Sequence, residues 1–315
     1  MYCLFIVVPC FNEEDMLPVT IDRLSSLVEK MMLKERIAVN SRVLFVDDGS
    51  KDKTFELIAA AYKTNPLVCG LKLARNSGHQ NALVAGVEAA VDAGADMIIT
   101  IDADLQDDID VIPEMVEKFT AGADIVYGVR KERNTDSFFK KYTAQLFYKL
   151  MKRMGVNLVY NHADFRLMSS LSAKSLLMFR ERNLFLRGLV PCISDNSATV
   201  YYDRKERQCG QSKYPLRKMI QFAADGITSF TIRPIKALIW IGVSFIFFSL
   251  CMLGYVLYSK YSGHVVEGWT SLMLSLWFIG GCILVGLGIV GEYIGKIYLE
   301  VKDRPRFFVQ KTLLK

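Results

Sequence analysis

An α/β domain with a Rossmann-like, mainly parallel sheet and helices on both faces, followed by two C-terminal membrane-crossing helices, is the fold class this sequence predicts. Over the first two thirds of the 315 residues, short β-branched runs alternate with amphipathic helical stretches, the pattern of a parallel sheet covered by helices. Acidic clusters stand just beyond several of these runs, where open α/β sheets bind their ligands. Near the C-terminus, residues 237–258 and 269–291 carry no charge. Each is long enough to cross a bilayer, because roughly 20 helical residues at about 1.5 Å rise span about 30 Å of hydrocarbon. The competing reading, a pair of buried core helices, asks for two unusually long chargeless helices in succession.

The elements follow in order. Residues 4–8 form a buried strand that breaks at Pro9, and Asn12 caps a helix whose first acids, Glu13, Glu14 and Asp15, suit the positive end of its dipole. A second strand, 43–46, ends in Asp47, Asp48, Gly49 and Ser50 before a helix at about 53–62. Strands at 68–73 and 97–101 flank a helix at about 80–92, and a helix at about 111–120 leads to a strand near 125–127. The domain organisation is a cytoplasmic domain at 1–210, interfacial amphipathic helices at 211–234, two spans with a short external loop at 235–295, and a basic cytoplasmic tail at 296–315. Within 214–232, Leu216, Ile220, Ala223, Ile227 and Phe230 recur at helical spacing, which fits a helix lying in the membrane interface or one packing on the soluble domain.

Charge sets the orientation. Arg217, Lys218, Arg233 and Lys236 precede the first span and Lys296, Lys302, Arg304 and Arg306 follow the second, so both termini are expected in the cytoplasm. Residues 1–8 have no basic n-region, and no cleavable signal peptide is expected. Seven cysteines show no CxxC or Cys/His metal spacing and read as free thiols in a reducing compartment. The net charge of +6 is crowded toward the membrane-proximal end, which favours an anionic lipid surface or a phosphate-bearing acceptor over nucleic acid. Gly280, Gly281, Gly286, Gly288 and Gly291 suggest close helix packing and a homo-oligomer, or simply glycine tolerated in a membrane helix.

The chemistry centres on MIITIDADLQDD. A strongly apolar strand delivers Asp102 and Asp104 to the loop beyond its end, where two carboxylates can approach one hard cation, Mg²⁺ or Mn²⁺, and Gln106 can add a neutral oxygen. The alternative is a solvated acidic turn; Asp107, Asp108 and Asp110 are read that way, as acids ahead of Pro113 and its helix. Asp47 and Asp48 divide between binding a base or ribose and capping the next helix. The stretch that carries Glu13 reads equally as a helix start or as a side facing a nucleotide. Arg75, Asn76 and Gly78 precede a helix start, a ready anion site. His79 is read as structural, since no second histidine stands nearby.

Taken together, VVPCFNEED, FVDDGSKDKT, RNSGHQNALVAG, IDADLQDD, the ADFRLMS segment around Asp164, the segment from Arg207 to Tyr214 and the paired C-terminal spans ending in GEYIGKIY resemble the inverting family 2 glycosyltransferases of the GT-A fold, and among them the polyprenyl-phosphate enzymes. The likeness covers nearly the whole chain. It implies that Pro9, Asn12, Glu13, Asp47, Asp48, Arg75, Asp102 and Gln106 bind the nucleotide sugar, with Asp102, Asp104 and Gln106 on the metal diphosphate. It also implies that Asp164, Asp104 and Arg130 are catalytic and that Arg130, Arg207, Ser212 and Lys213 surround the acceptor phosphate. The Gln-x-x-Arg-Trp motif of processive polymerases is missing from the sequence, so repeated elongation is not expected.

The expected reaction is hexose transfer from UDP-glucose to undecaprenyl phosphate at a bacterial inner membrane, with inversion. GDP-mannose, UDP-GalNAc or an aminoarabinose donor is the alternative within the class, as is a protein or glycan acceptor. Outside it stands a non-catalytic scaffold or lipid-translocating subunit. Asp164 either works at the reaction centre or forms a structural ion pair with Arg166.

Overall fold

The computed structural model describes residues 1–131, 162–182, 184–203, 233–262 and 268–314. Arg207, Ser212, Lys213 and the amphipathic stretch 214–232 lie outside the described residues. The chain divides into two compact units, Met1–Met219 with Arg304–Lys315, and Ile220–Asp303.

The first unit is built on an eight-stranded sheet of order β7-β5-β6-β4-β1-β2-β3-β8. Its strands are β1 (Leu4–Cys10), β2 (Arg42–Asp47), β3 (Val68–Leu73), β4 (Met97–Thr100), β5 (Ile125–Arg130), β6 (His162–Ser169), β7 (Ser197–Tyr202) and β8 (Val309–Leu313). The helices are α1 (Leu17–Leu33), α2 (Thr54–Thr64), α3 (His79–Asp92), α4 (Ile112–Thr120), α5 (Ser170–Met178) and the short α6 (Leu186–Leu189). Strands β4, β1, β2 and β3 run parallel, and every residue of β1 is buried, as a strand covered on both faces requires. β6 is antiparallel to β4 and β5, so the sheet is mixed on that side.

Glycine brings α3 onto this sheet. A Cβ at Gly86 would run into the side chains of Val7 and Val46, so the bare backbone lets the helix sit close and points its first turn at the ends of β1 and β2.

Two local expectations are corrected. Asn12 caps no helix: it holds a left-handed φ of 53°, its Oδ1 accepts from the Lys51 amide, and α1 starts only at Leu17, with a proline in its first turn. Neither Asp47 nor Asp48 caps α2, whose entry is held by Asp52 Oδ1 accepting from Thr54 N and Oγ1.

β8 lies in the segment read from sequence as a basic tail. It pairs antiparallel with β3, from Gly70 opposite Leu313 to Leu73 opposite Val309, and Ala74 N donates to Phe308 O at 2.8 Å. Lys72 and Lys311 both stand over the Phe55 ring, at 4.8 and 5.8 Å from its centroid.

The second unit contains two long helices, α7 (Arg233–Tyr261) and α8 (Trp269–Val301). Among the described residues one stretch, Phe278–Val301 with mean hydropathy 1.8, is long and apolar enough to cross a membrane. It is displaced toward the C-terminus from the expected second span, 269–291.

Candidate active site

The loops that leave β1, β2, β3 and β4 at their carboxyl ends meet around a cavity of about 480 Å³. Pro9 lines it from the end of β1 and Glu13 from the loop that follows, Asp48 from the second loop, Asn76 and Gly78 from the third, and Asp102 and Asp104 from the fourth. Asp164 enters from β6, and His79 and Arg187 complete the polar wall. Asn12, Asp47, Arg75, Gln106 and Arg130 do not line this cavity.

The two aspartates after β2 have separate tasks. Asp47 is fully buried; its Oδ1 accepts from Ser50 N at 3.1 Å, while its Oδ2 has no hydrogen-bond partner. Asp48 accepts from Ser77 N at 2.7 Å and from Gly78 N at 2.9 Å, so it clamps the loop after β3 at the mouth of α3. Burial raises its pKa in spite of those two donors. Gly49 between these loops is obligatory on two counts. Its φ is +69°, and a Cβ there would stand 2.5 Å from the Arg75 carbonyl carbon.

Asp102 and Asp104 face the cavity in different states. Asp102 Oδ1 is out of contact with solvent and has no hydrogen-bond partner, although the side chain as a whole is 38% exposed. Burial pushes its pKa up to about 6; the nearby His79 opposes this, and the charges of Asp164, Asp107 and Asp104 reinforce it. Asp104 Oδ1 accepts from Gln106 N at 3.2 Å, across Leu105 at a left-handed φ of 51°. Hard oxygen donors, one of them buried and accepting no hydrogen bond, are what Mg²⁺ or Mn²⁺ takes. The fit extends to Asp102 and Asp104. Gln106 donates its backbone N–H to Asp104 and is not among the residues that line the cavity, so the cavity does not bring it in as a third ligand. Among the described residues no group of three or more His, Cys, Asp or Glu forms a metal cluster, and a cation held by two aspartates would take its other oxygens from phosphate and water.

Asp164 is nearly buried between cations. Arg166 Nη2 donates to its Oδ1 at 2.6 Å, Arg187 Nη2 to its Oδ2 at 3.1 Å, and His79 Nε2 stands 3.8 Å from Oδ2. Burial alone would raise its pKa, but Arg187, His79 and Arg166 outweigh that and hold the carboxyl well below the usual range. The ion pair with Arg166 and a place on the cavity wall thus coexist. His79, read from sequence as structural, spans two acids: its Nε2 is also 3.4 Å from Asp102 Oδ1. Burial would lower its pKa, yet the two carboxylates raise it. Arg187 was not singled out from the sequence at all, because it lies on a four-residue helix, 23 positions from its partner, with no motif around it.

Arg130 belongs to a neighbouring network. Its Nη2 donates to Asp107 Oδ1 at 2.9 Å and its Nε to Tyr202 Oη at 3.3 Å, while Tyr202 Oη donates to the same Asp107 oxygen at 2.5 Å. Asp107, expected to be a solvated acid ahead of a helix, is instead 2% exposed and pinned beneath that arginine. Asp108 does keep the expected terminal role, accepting from Asp110 N at the 3-10 turn Ile109–Val111.

Residues 5–177 match the family described as glycosyl transferase family 2. The chain belongs to that family. As a family 2 glycosyltransferase it has the GT-A α/β fold, and its acidic loops lie within the matched segment, whereas Arg187 on α6 lies beyond it. It is 51% identical over 310 residues to the uncharacterized glycosyltransferase YkoT of Bacillus subtilis (strain 168), covering 98% of this chain and 92% of the relative. It is 38% identical over 313 residues to the SfII prophage-derived bactoprenol glucosyl transferase of Shigella flexneri, covering 98% and 97%. Among solved structures it resembles the mannosyltransferase PcManGT of Pyrobaculum calidifontis in complex with GDP-Man and Mn²⁺, with TM-score 0.42 and 12% identity over 95% of this chain and 85% of that one.

Proposed function

We propose that this glycosyltransferase moves a hexose from a nucleotide-diphosphate sugar, UDP-glucose, to a polyprenyl phosphate at the cytoplasmic face of a bacterial inner membrane. The observation that carries the reading is the Asp102–Asp104 pair at the tip of β4, with one buried oxygen that accepts no hydrogen bond, on a cavity sized for a sugar nucleotide. Near-full-length likeness to a bactoprenol glucosyl transferase supports the acceptor class.

In this reading Glu13 and Asp48 lie beside the nucleoside, and Asp102 and Asp104 hold the divalent ion. When bound, that ion neutralises charge on the departing diphosphate. The acceptor is a phosphate monoester with a second pKa near 6, already largely dianionic at neutral pH, so no strong base is required. That suits Asp164, whose oxygens are occupied by arginines. One acceptor phosphate oxygen bonds to the anomeric carbon as the bond from that carbon to the diphosphate oxygen breaks, and direct displacement inverts the α-linked donor to a β-linked lipid phosphate. Arg130, held by Asp107 and Tyr202, stands on the acceptor side, with Arg207, Ser212 and Lys213 contributing from beyond the described residues. The two long helices are read as spans that keep both termini in the cytoplasm and bring the prenyl phosphate to the site, with self-association through the glycines of α8.

The test uses membranes containing the full chain, incubated with radiolabelled UDP-glucose and undecaprenyl phosphate. Label should pass into an organic-extractable product only when Mg²⁺ or Mn²⁺ is present, and Asp104→Asn should reduce this by at least about 100-fold with the fold retained. Transfer that survives chelation and that substitution overturns the metal assignment. Label entering only from GDP-mannose or another sugar nucleotide replaces the donor and leaves the class standing.

A further inference from the structure

We infer that Arg187 is a substrate-binding residue, the fixed cation of the cavity that takes a phosphate group. This rests on the proposed reaction for its substrates and on the geometry of the wall for its location.

The wall is strongly acidic, and its only basic members among the described residues are His79 and Arg187. A diphosphate and a lipid phosphate must nevertheless both approach this space. One divalent ion balances Asp102 and Asp104, and the charge of Asp48 is met by the Ser77 and Gly78 amides. Asp164 meets two guanidiniums, those of Arg166 and Arg187. Arg166 is 1% exposed and donates inward to the Leu186 carbonyl, so it is turned away from the cavity. Arg187 is the one a ligand can reach, because its side chain is 39% exposed and lines the cavity.

Its orientation is built. Nε and Nη2 fork onto the two oxygens of Asp164 at 3.4 and 3.1 Å, which fixes the plane of the guanidinium. The preceding residue is tied to α3, with Leu186 N donating to Gln80 Oε1 at 3.3 Å. Asp164 is therefore a positioning residue: it aims Arg187, and it holds no proton to give or take. A planar fork anchored on one edge suits phosphoryl oxygens.

The experiment compares wild type, Arg187→Ala and Arg187→Lys as full-length protein in detergent. Inorganic pyrophosphate with Mg²⁺ is the direct probe, titrated calorimetrically, and steady-state KM and kcat are read for each substrate. Arg187→Ala should weaken pyrophosphate binding about 10-fold or more, with Arg187→Lys intermediate and the melting temperatures close together, since Asp164 keeps Arg166. A higher KM for the nucleotide sugar alone assigns Arg187 to the diphosphate, and a higher KM for the prenyl phosphate alone assigns it to the acceptor. Pyrophosphate that fails to bind wild type, or binds all three proteins equally with both KM values unchanged, overturns the inference. Wild type that binds pyrophosphate but transfers no sugar to lipid sinks the proposed acceptor instead and leaves Arg187 as a phosphate site. If the alanine variant does not fold, the lysine variant carries the same comparison.

Discussion

Asp102 carries its proton to a higher pH than an ordinary carboxyl because burial penalises its charge. The folded pKa is about 6, against roughly 3.9 in an unfolded chain, so the native state holds this proton more tightly. Ionisation therefore counts against folding, and metal-free protein should lose stability as pH rises from about 4 to 6, with no further loss from this group above that. Asp102→Asn has nothing to ionise there. Its melting temperature relative to wild type should climb across that window, and Mg²⁺ should stabilise wild type, not the variant, at pH 7. Scanning fluorimetry over that range checks both; parallel curves would refute the assignment. At this scale the acids were legible because carboxylates after an apolar strand stand out, whereas their partners were not. Arg187 and Arg166 are brought to Asp164 by folding, and His79 acquires meaning only once α3 lands between two acidic loops.

Elements read well where both faces of a strand are buried. β1, β2, β3 and β4 are nearly continuous apolar runs, and their expected positions fall within two residues of those found. β6 and β7 hid behind polar residues: Arg166 in β6 looks like a loop residue until Asp164 accepts from it. β8 runs three polar residues together between Val309 and Leu313 on a largely exposed edge, so no hydrophobic period marks it. That strand has a testable local effect. Its pairing with β3 continues into the Ala74–Phe308 hydrogen bond, just before the loop that Asp48 clamps. Deleting residues 305–315 should speed amide exchange at residues 74–78 by about 10-fold or more and lower the melting temperature, as read by hydrogen-exchange mass spectrometry. Unchanged protection there would mean that Asp48 alone secures the loop. Farther along the sheet, the Asp107–Arg130–Tyr202 network ties the ends of β5 and β7 to the loop that carries Asp102 and Asp104, whereas a solvated Asp107 would tie nothing.

For the whole molecule, the two-part division was visible in composition: an alternating α/β region and a chargeless C-terminal region. What composition hid is that the first unit closes with residues beyond the second. If the long helices lie in a bilayer, alkaline carbonate should leave the full chain in the membrane pellet, and a variant lacking residues 233–301 should move to the supernatant. Full-length protein released by carbonate would refute spanning. The order of synthesis gives β8 a further importance. The ribosome must finish α7 and α8 before the eighth strand exists, so until residues 309–313 are made the β3 edge lacks the strand that closes it.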